Sequence, residues 1–263
     1  MYNEVLRREK ELVLCEDGSN TLFSKEFNEP YHSTKDGALH ESLEKHVKPA
    51  LEIKKDTKNL VILDICFGLG YNTFTTIYYI KNENIKTKIH IISPEFDENL
   101  IYSLENFAYP KEFDEIKHII QAISQNLFYE DEQFKIEILL GDARTSVPNI
   151  KEKLDIIYQD AFSPSQNPLL WTKEFFADMA KLSKEDTILT TYSTAAAIRL
   201  GLYENGFLIF VYYPKMTRYS TIASRKMLER FEYIDMELKK IRNPVARSFR
   251  DGDYYSLSKS ISQ

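Results

Sequence analysis

The chain has 263 residues and a mass of 30.8 kDa, is 43% hydrophobic and 28% charged, and has a mean hydropathy of −0.39 and a net charge of −6. No run of about 18 uncharged apolar residues exists to span a membrane, residues 1–10 lack the apolar centre of an export signal, and the low Gly and Pro counts of 8 and 9 argue against long disorder. Two cysteines, Cys15 and Cys66, are too few for a disulfide framework or a zinc knuckle, which fits a reducing cytoplasm.

In chain order, the first candidate elements are Glu11–Leu14 and Thr21–Ser24, which flank Asp17-Gly18 and read as a hairpin. Leu60–Ile65 is a continuous β-branched run, the pattern of a strand buried on both faces. A helix is expected over Tyr71–Lys81, a second strand from about Thr87 through Ser93, and a helix over Asp97–Phe107 before Pro110. Glu112–Tyr129 has helical spacing, and Ile136–Leu140, Leu154–Gln159 and Thr187–Tyr192 are the next strands. Helices fit at Thr172–Leu182 and Thr194–Glu204, and Phe207–Tyr213 with Arg218–Ala223 forms a closing hairpin around Pro214. Strands alternating with helices imply a parallel sheet with right-handed crossovers, and the hairpin adds one antiparallel strand. The expected organisation is a small β-containing appendage over residues 1–50, an α/β core over 51–224 and a basic extension over 225–263.

Charge is unevenly spread. Between Lys215 and Arg250 ten basic residues face four acids, so that segment carries +6 and the rest of the chain −12. Such a segment either tracks phosphates or is a solvated face laced with ion pairs.

Ligands of open α/β sheets bind beyond the carboxyl ends of the strands, where the strand order reverses. The segment after the first core strand, Asp64-Ile65-Cys66-Phe67-Gly68-Leu69-Gly70-Tyr71-Asn72-Thr73, has two glycines that let the backbone turn tightly against a ligand. Thr73 stands where the dinucleotide fingerprint has its third glycine, so the alternative is a tight turn with no ligand. Glu95 follows the second strand, where a carboxylate either accepts from a ribose diol or favours a helix N-terminus. Asp142, in Gly141-Asp142-Ala143, either accepts from the exocyclic amine of adenine or caps a short helix. Asp160-Ala161-Phe162-Ser163-Pro164 follows the fourth strand, with Asn167 and Trp171 close behind, and suits a reacting group held beside a stacked base.

Other chemistries lack their motifs: H-E-x-x-H, G-x-S-x-G, a phosphate-binding P-loop and Cys/His metal spacing are all absent. His32, His40, His46, His90 and His118 are scattered and read as structural or surface residues, and Cys66 as a small packed one. Tyr78-Tyr79 and Tyr212-Tyr213 fall in regular elements and need no ligand.

The run from Asp160 to Trp171 resembles the D-G-F-[AS]-P-x-x-N-P-x-[ML]-W signature of the MnmC methyltransferase domain. Ile92-Ser93-Pro94-Glu95, Gly141-Asp142, Thr190–Ala195 and the entry segments Phe23–Ser33 and Asp36–Glu41 resemble the same family, so the match spans about residues 20–224. Departures are Asp64 for a frequent Glu and Ala161 for the usual Gly. The resemblance implies a class I S-adenosylmethionine methyltransferase fold, Rossmann-like, with a seven-stranded mostly parallel sheet. The implied reaction is methylation of an aminomethyl group on the wobble uridine of tRNA, giving 5-methylaminomethyl(-2-thio)uridine, in a stand-alone form without the flavin-dependent oxidase domain. S-adenosylmethionine is the expected cofactor, the tRNA anticodon loop the partner, and neither a metal nor a membrane is involved. On the cofactor side the expected residues are Asp64, Phe67, Gly68, Gly70, Asn72, Glu95, Asp142, Ala143 and Asp160. Asp160 and Phe162 are expected at the reaction centre, with Tyr31, Asn167, Trp171 and Ser193 towards the substrate. A small-molecule amine methyl- or aminopropyltransferase on the same scaffold is the alternative.

Overall fold

The computed structural model describes residues 9–254. The outer parts of the expected 1–50 appendage and 225–263 extension, and most of the N-terminal segment tested for an export signal, lie outside the described residues. Strand β4 (Asn59–Ile65) lies inside a nine-stranded sheet of order β12 (Glu232–Ile234), β10 (Leu208–Tyr212), β11 (Ser220–Ser224), β9 (Ser183–Thr191), β8 (Leu154–Gln159), β4, β5 (Lys88–Glu95), β7 (Phe134–Leu140), β6 (Phe128–Glu130). It pairs in parallel with β5 (Lys88–Glu95) on one side and with β8 (Leu154–Gln159) on the other. The chain runs outward from β4 through β5 to β7 (Phe134–Leu140), then returns to β8 and β9 (Ser183–Thr191). This reversal opens the crevice at the carboxyl ends of β4 and β8.

The parallel strands are buried because both faces are covered. Ile62 and Ile156 belong to one hydrophobic cluster, with Phe74, Ile77 and Ile120. The adjacent Leu63 and Ile157 belong to the other, with Phe175, Phe176, Met179 and Ile198. The two-residue alternation of a strand therefore feeds two cores from one continuous apolar run.

The expected seven-stranded core is present: β10 (Leu208–Tyr212) and β11 (Ser220–Ser224) close it as an antiparallel hairpin, with β11 antiparallel to β9. Two short antiparallel strands extend its edges. One is β6 (Phe128–Glu130), which falls inside the helix expected to reach Tyr129. That helix, Lys117–Asn126, stops because Leu127 takes a left-handed φ of 61°. The other is β12 (Glu232–Ile234), followed by the helix Met236–Arg242, whose first turn is capped by Asp235.

At the N-terminus, β1 (Lys10–Leu14), β2 (Asn20–Ser24) and β3 (Glu29–Pro30) form a separate three-stranded sheet. A helix not expected from the sequence then runs from Ala38–Glu41 through a π-helical Ser42–Val47 into Lys48–Ile53. Its apolar period is broken because Glu41, Glu44, Lys45 and His46 are buried alongside Val47, Ala50 and Leu51. Burial is tolerated because the charges pair: Lys45 Nζ lies 2.9 Å from Asp36 and 2.8 Å from Glu41.

Ile156 is fully buried at the middle of β8, and Ile156→Ala removes three carbon atoms from a cluster that cannot collapse around the gap. The substitution is expected to lower unfolding stability by about 2–5 kcal/mol, read as a lower urea midpoint with an unchanged m-value.

Candidate cofactor and active site

The turn after β4 is built from left-handed backbone. Gly68 has φ 54° and Gly70 φ 72°, and the non-glycine Cys66 shares that region at φ 65°. A Cβ on Gly70 would stand 2.5 Å from Phe74 Cε2 and 2.7 Å from the Phe67 ring, so only glycine fits. Gly70 then caps the helix Tyr71–Asn82, which puts Asn72 and Thr73 in its first turn, facing back toward β4.

Glu95 ends β5 and fixes this turn. Its Oε2 accepts from Gly68 N at 2.7 Å and its Oε1 from Asp97 N at 2.8 Å. Each oxygen keeps a lone pair for a further donor. Burial pushes the carboxyl above its ordinary value, partly offset by the two backbone donors. Asp97 caps the helix Glu98–Ser103 and pairs with buried Lys10 of β1, at 2.5 Å. Asp142 caps the short turn after β7 through Arg144 N at 2.8 Å, and with Gly141 and Ala143 it also faces the crevice.

These elements line a cleft of about 600 Å³. Of the expected site residues, Tyr31, Phe67, Gly68, Asn72, Glu95, Asp142, Ala143, Asp160, Phe162 and Asn167 line it. Gly70 shapes the turn, and Asp64, Trp171 and Ser193 act from behind. Asp64 is buried, accepting from Thr73 Oγ1 at 2.8 Å and from Asn72 Nδ2 at 3.4 Å. Trp171 is fully buried and its indole donates to Phe162 O at 2.7 Å. Ser193 is buried, with its carbonyl accepting from Thr221 Oγ1 at 2.7 Å.

Asp160 follows β8 and makes no cap. Its Oδ2 accepts from Asn72 Nδ2 at 2.9 Å, and its Oδ1 lies 3.4 Å from His46 Nε2, an ion-pair distance without the alignment of a hydrogen bond. Burial would raise this carboxyl, but the charge of His46, with smaller contributions from His32 and Asn72, outweighs it and holds Asp160 below the usual carboxylate range. Asp64 goes the other way: burial, with the nearby Asp160 charge, pushes it up to about 7 against its hydrogen bonds. His46 Nδ1 lies 3.0 Å from Thr190 Oγ1, which fixes the ring from behind.

The loop after Asp160 is strapped at successive backbone groups. Tyr192 donates to Ala161 O at 3.0 Å, Trp171 to Phe162 O, and Ser163 N donates to Glu29 Oε1 at 2.5 Å. Phe162 stacks on Phe27 at 4.4 Å and meets Tyr31 edge-on at 4.8 Å, so the N-terminal sheet supplies two rings of an aromatic wall.

Sequence reading missed His46, Phe27 and Glu29. His46 lies 114 positions from Asp160, and only the fold of the unexpected helix brings them together. The weak signal available was a histidine inside an otherwise packable run, at Val47, Ala50 and Leu51.

The residues present fit S-adenosylmethionine. The glycine turn admits close approach, Glu95 retains acceptor capacity for a diol, and Asn72 Oδ1 is a buried acceptor with no hydrogen-bond partner among the described residues, matching the need of an ammonium group. Among the described residues, no group of His, Cys, Asp and Glu is placed to hold a metal ion, and no helix is long and apolar enough to cross a membrane.

The S-adenosyl-L-methionine-dependent methyltransferase family model matches residues 110–221. MnmC2 from Aquifex aeolicus, a solved structure, is 32% identical with a TM-score of 0.78, over 92% of this chain and 78% of that one. An uncharacterized protein, MJ0670 of Methanocaldococcus jannaschii, is 32% identical over 208 residues, covering 78% of this chain and 56% of that protein. The tRNA 5-methylaminomethyl-2-thiouridine biosynthesis bifunctional protein MnmC of Campylobacter concisus is 30% identical over 196 residues. The chain thus spans about half of the former and 31% of the latter. Taken with the glycine turn, the acid after β5 and the sheet order, these likenesses show that the chain belongs to the S-adenosyl-L-methionine-dependent methyltransferase family as a homologue of the MnmC methyltransferase portion, with S-adenosyl-L-methionine as its cofactor.

Proposed function

We propose that this protein methylates the primary amine of an aminomethyl group on the wobble uridine of tRNA, giving 5-methylaminomethyl(-2-thio)uridine. The observation that carries the reading is the Asp160 carboxylate, held charged between Asn72 and His46 at the edge of the cofactor turn, with an aromatic wall beside it. The similarity to proteins named for 5-methylaminomethyl-2-thiouridine biosynthesis supports the choice of amine.

When bound, the cofactor supplies an electrophilic methyl on a sulfonium. Glu95 holds the ribose diol, the Gly68–Gly70 backbone admits the ligand closely, and Asn72 Oδ1 and Asp142 accept from its amino groups. Asp160 accepts from the substrate amine, aims the nitrogen lone pair and stabilises the positive charge that grows on nitrogen. A carboxylate with a lowered pKa is a weak proton store, so the amine meets Asp160 after its alkylammonium form has lost a proton to solvent. Phe162, with one face already on Phe27, walls in the base, while Trp171 and Glu29 hold the loop at reacting distance.

Incubation of tRNA carrying the free aminomethyl group with isotopically labelled cofactor, followed by mass spectrometry of the nucleosides, is expected to place the labelled methyl on that amine. Label on another nucleoside, or only on free small amines, overturns the reading.

Glu95→Ala removes two charge-assisted hydrogen bonds to the ribose, each worth about 1.5–3 kcal/mol, and is expected to weaken cofactor binding by at least about tenfold in calorimetry. Because burial raises the Glu95 pKa, wild-type affinity is expected to fall on acidification from a pH above the ordinary carboxylate range, as the neutral acid loses acceptor capacity. Glu95→Gln should lack that pH dependence.

Asp160→Asn keeps the size and one acceptor oxygen but removes the charge. Single-turnover methylation should slow by about 10²–10³ while cofactor and tRNA still bind. A near-normal rate would mean that the carboxylate is structural.

A further inference from the structure

The turn joining β10 to β11, residues 213–219, carries side chains that neither the core nor the cleft uses. Tyr213 is 66% exposed, Met216 94% and Tyr219 51%, with Lys215 and Arg218 exposed between them. Tyr213 was expected to belong to a regular element, but β10 ends at Tyr212 and the ring stands clear of it. We propose that this turn is the docking element for the unpaired loop of an RNA substrate, with Tyr213 and Tyr219 stacking bases and Lys215 and Arg218 meeting phosphates. The inference rests on the reading of the substrate as tRNA and deepens it.

Topology places the turn correctly. β10 is antiparallel to β11, and β11 to β9, so β10 points the same way as β9 and β8. The turn therefore rises from the edge of the sheet where Asp160 follows β8. Three strand spacings separate β10 from β8, a lateral distance of about 14 Å, within the width of a nucleic-acid loop.

The turn is also held in place. Lys215 O lies 3.0 Å from His40 Nε2 and Lys215 N donates to Glu44 Oε2 at 3.3 Å, so the helix that carries His46 binds both backbone groups of Lys215. Tyr213 OH donates to Glu232 Oε2 at 2.9 Å, and its ring lies 6.3 Å from that of Tyr219. One exposed ring tethered through its hydroxyl and packed at a tilt against a second costs little ordering entropy on binding, which suits a stacking platform.

Charge complementarity selects RNA as the occupant. Four of the ten basic residues of the segment are already engaged: Arg230 pairs with Glu52, Arg250 with Glu174, Arg247 with Asp253 and Lys240 with Glu237. Among the described residues Lys215 and Arg218 form no ion pair. Arg199 adds a third cation at the root of the turn, donating to Thr221 Oγ1 at 3.0 Å and close enough to interact with Tyr213 and Tyr219. Cations set between exposed aromatics, on a protein of net charge −6, form a local binding stripe for single-stranded RNA.

The test uses a fluorescent anticodon stem-loop RNA and the full chain, with anisotropy titrations across a salt series. Tyr213→Ala/Tyr219→Ala should weaken binding by about tenfold or more at every salt concentration. Lys215→Ser/Arg218→Ser should flatten the salt slope by about 0.7 for each phosphate that is no longer neutralised. Calorimetric cofactor binding should stay at the wild-type value in both, which confirms that the variants are folded. Wild-type RNA affinity and slope in both variants overturn the inference and leave the tRNA reading standing. A wild-type protein that does not bind the stem-loop overturns the reading and the inference together. A dimer in sedimentation that the tyrosine variant alone dissociates, with RNA affinity unaltered, assigns the surface to a second copy of the chain and also overturns the proposal.

Discussion

Two carboxylates, buried Asp64 and half-buried Asp160, lie within reach of one side-chain amide, and a poorly polarisable site cannot hold both charged at equal cost. Asn72 Nδ2 lies 2.9 Å from Asp160 and 3.4 Å from Asp64, and the resulting asymmetry sets the electrostatics of the cleft. Asp64 is pushed up to about 7 by burial and the Asp160 charge, against its bonds from Thr73 and Asn72, whereas His46 beside Asp160 holds that carboxyl low. Separated pKa values in neighbouring groups are how a fold assigns distinct roles to identical chemistry. The charge is kept where the cleft is open and suppressed where the sheet is closed.

That arrangement requires the N-terminal residues as much as the α/β core. Lys10 of β1 holds Asp97 two residues beyond Glu95, Glu29 of β3 holds Ser163 three residues beyond Asp160, and Tyr71 OH donates to Asn20 O at 2.7 Å. The small sheet therefore touches the Glu95 side and the Asp160 side of the cleft at once. The helix from Ala38 to Ile53 completes the enclosure, and His46 lies in its π-helical segment. A π-segment re-aims a side chain relative to a regular α-helix, and such segments are frequent at functional sites.

The strapped loop after β8 gives this wall of the cleft its rigidity. Three successive backbone groups of residues 161–163 are each bound by a side chain from a different part of the chain: Tyr192, Trp171 and Glu29. Trp171 belongs to the same sequence run as Asp160, yet it works from the core by holding a carbonyl. Residues of one motif thus divide between those that face the cleft and those that fix the loop.

The sequence by itself determined the parallel core and the side of the sheet that carries the site. Short, β-branched apolar runs bounded by turn residues mark strands covered on both faces, and the glycines after Ile65 with acids after three strands mark their carboxyl ends. It could not place the helix over residues 38–53, because buried charged residues interrupt its apolar period and are compensated by Asp36 and by one another. Nor could it find the short edge strands β6 and β12, which are three residues each and gain their order from neighbours already in the sheet. Which acids of the motifs face the cleft was likewise undecided: Glu95, Asp142 and Asp160 line it, whereas Asp64 is turned inward against Thr73. The meeting of His46 with Asp160, and of Phe27 with Phe162, belongs to tertiary structure alone, because pairings across more than a hundred residues leave no local pattern in the chain.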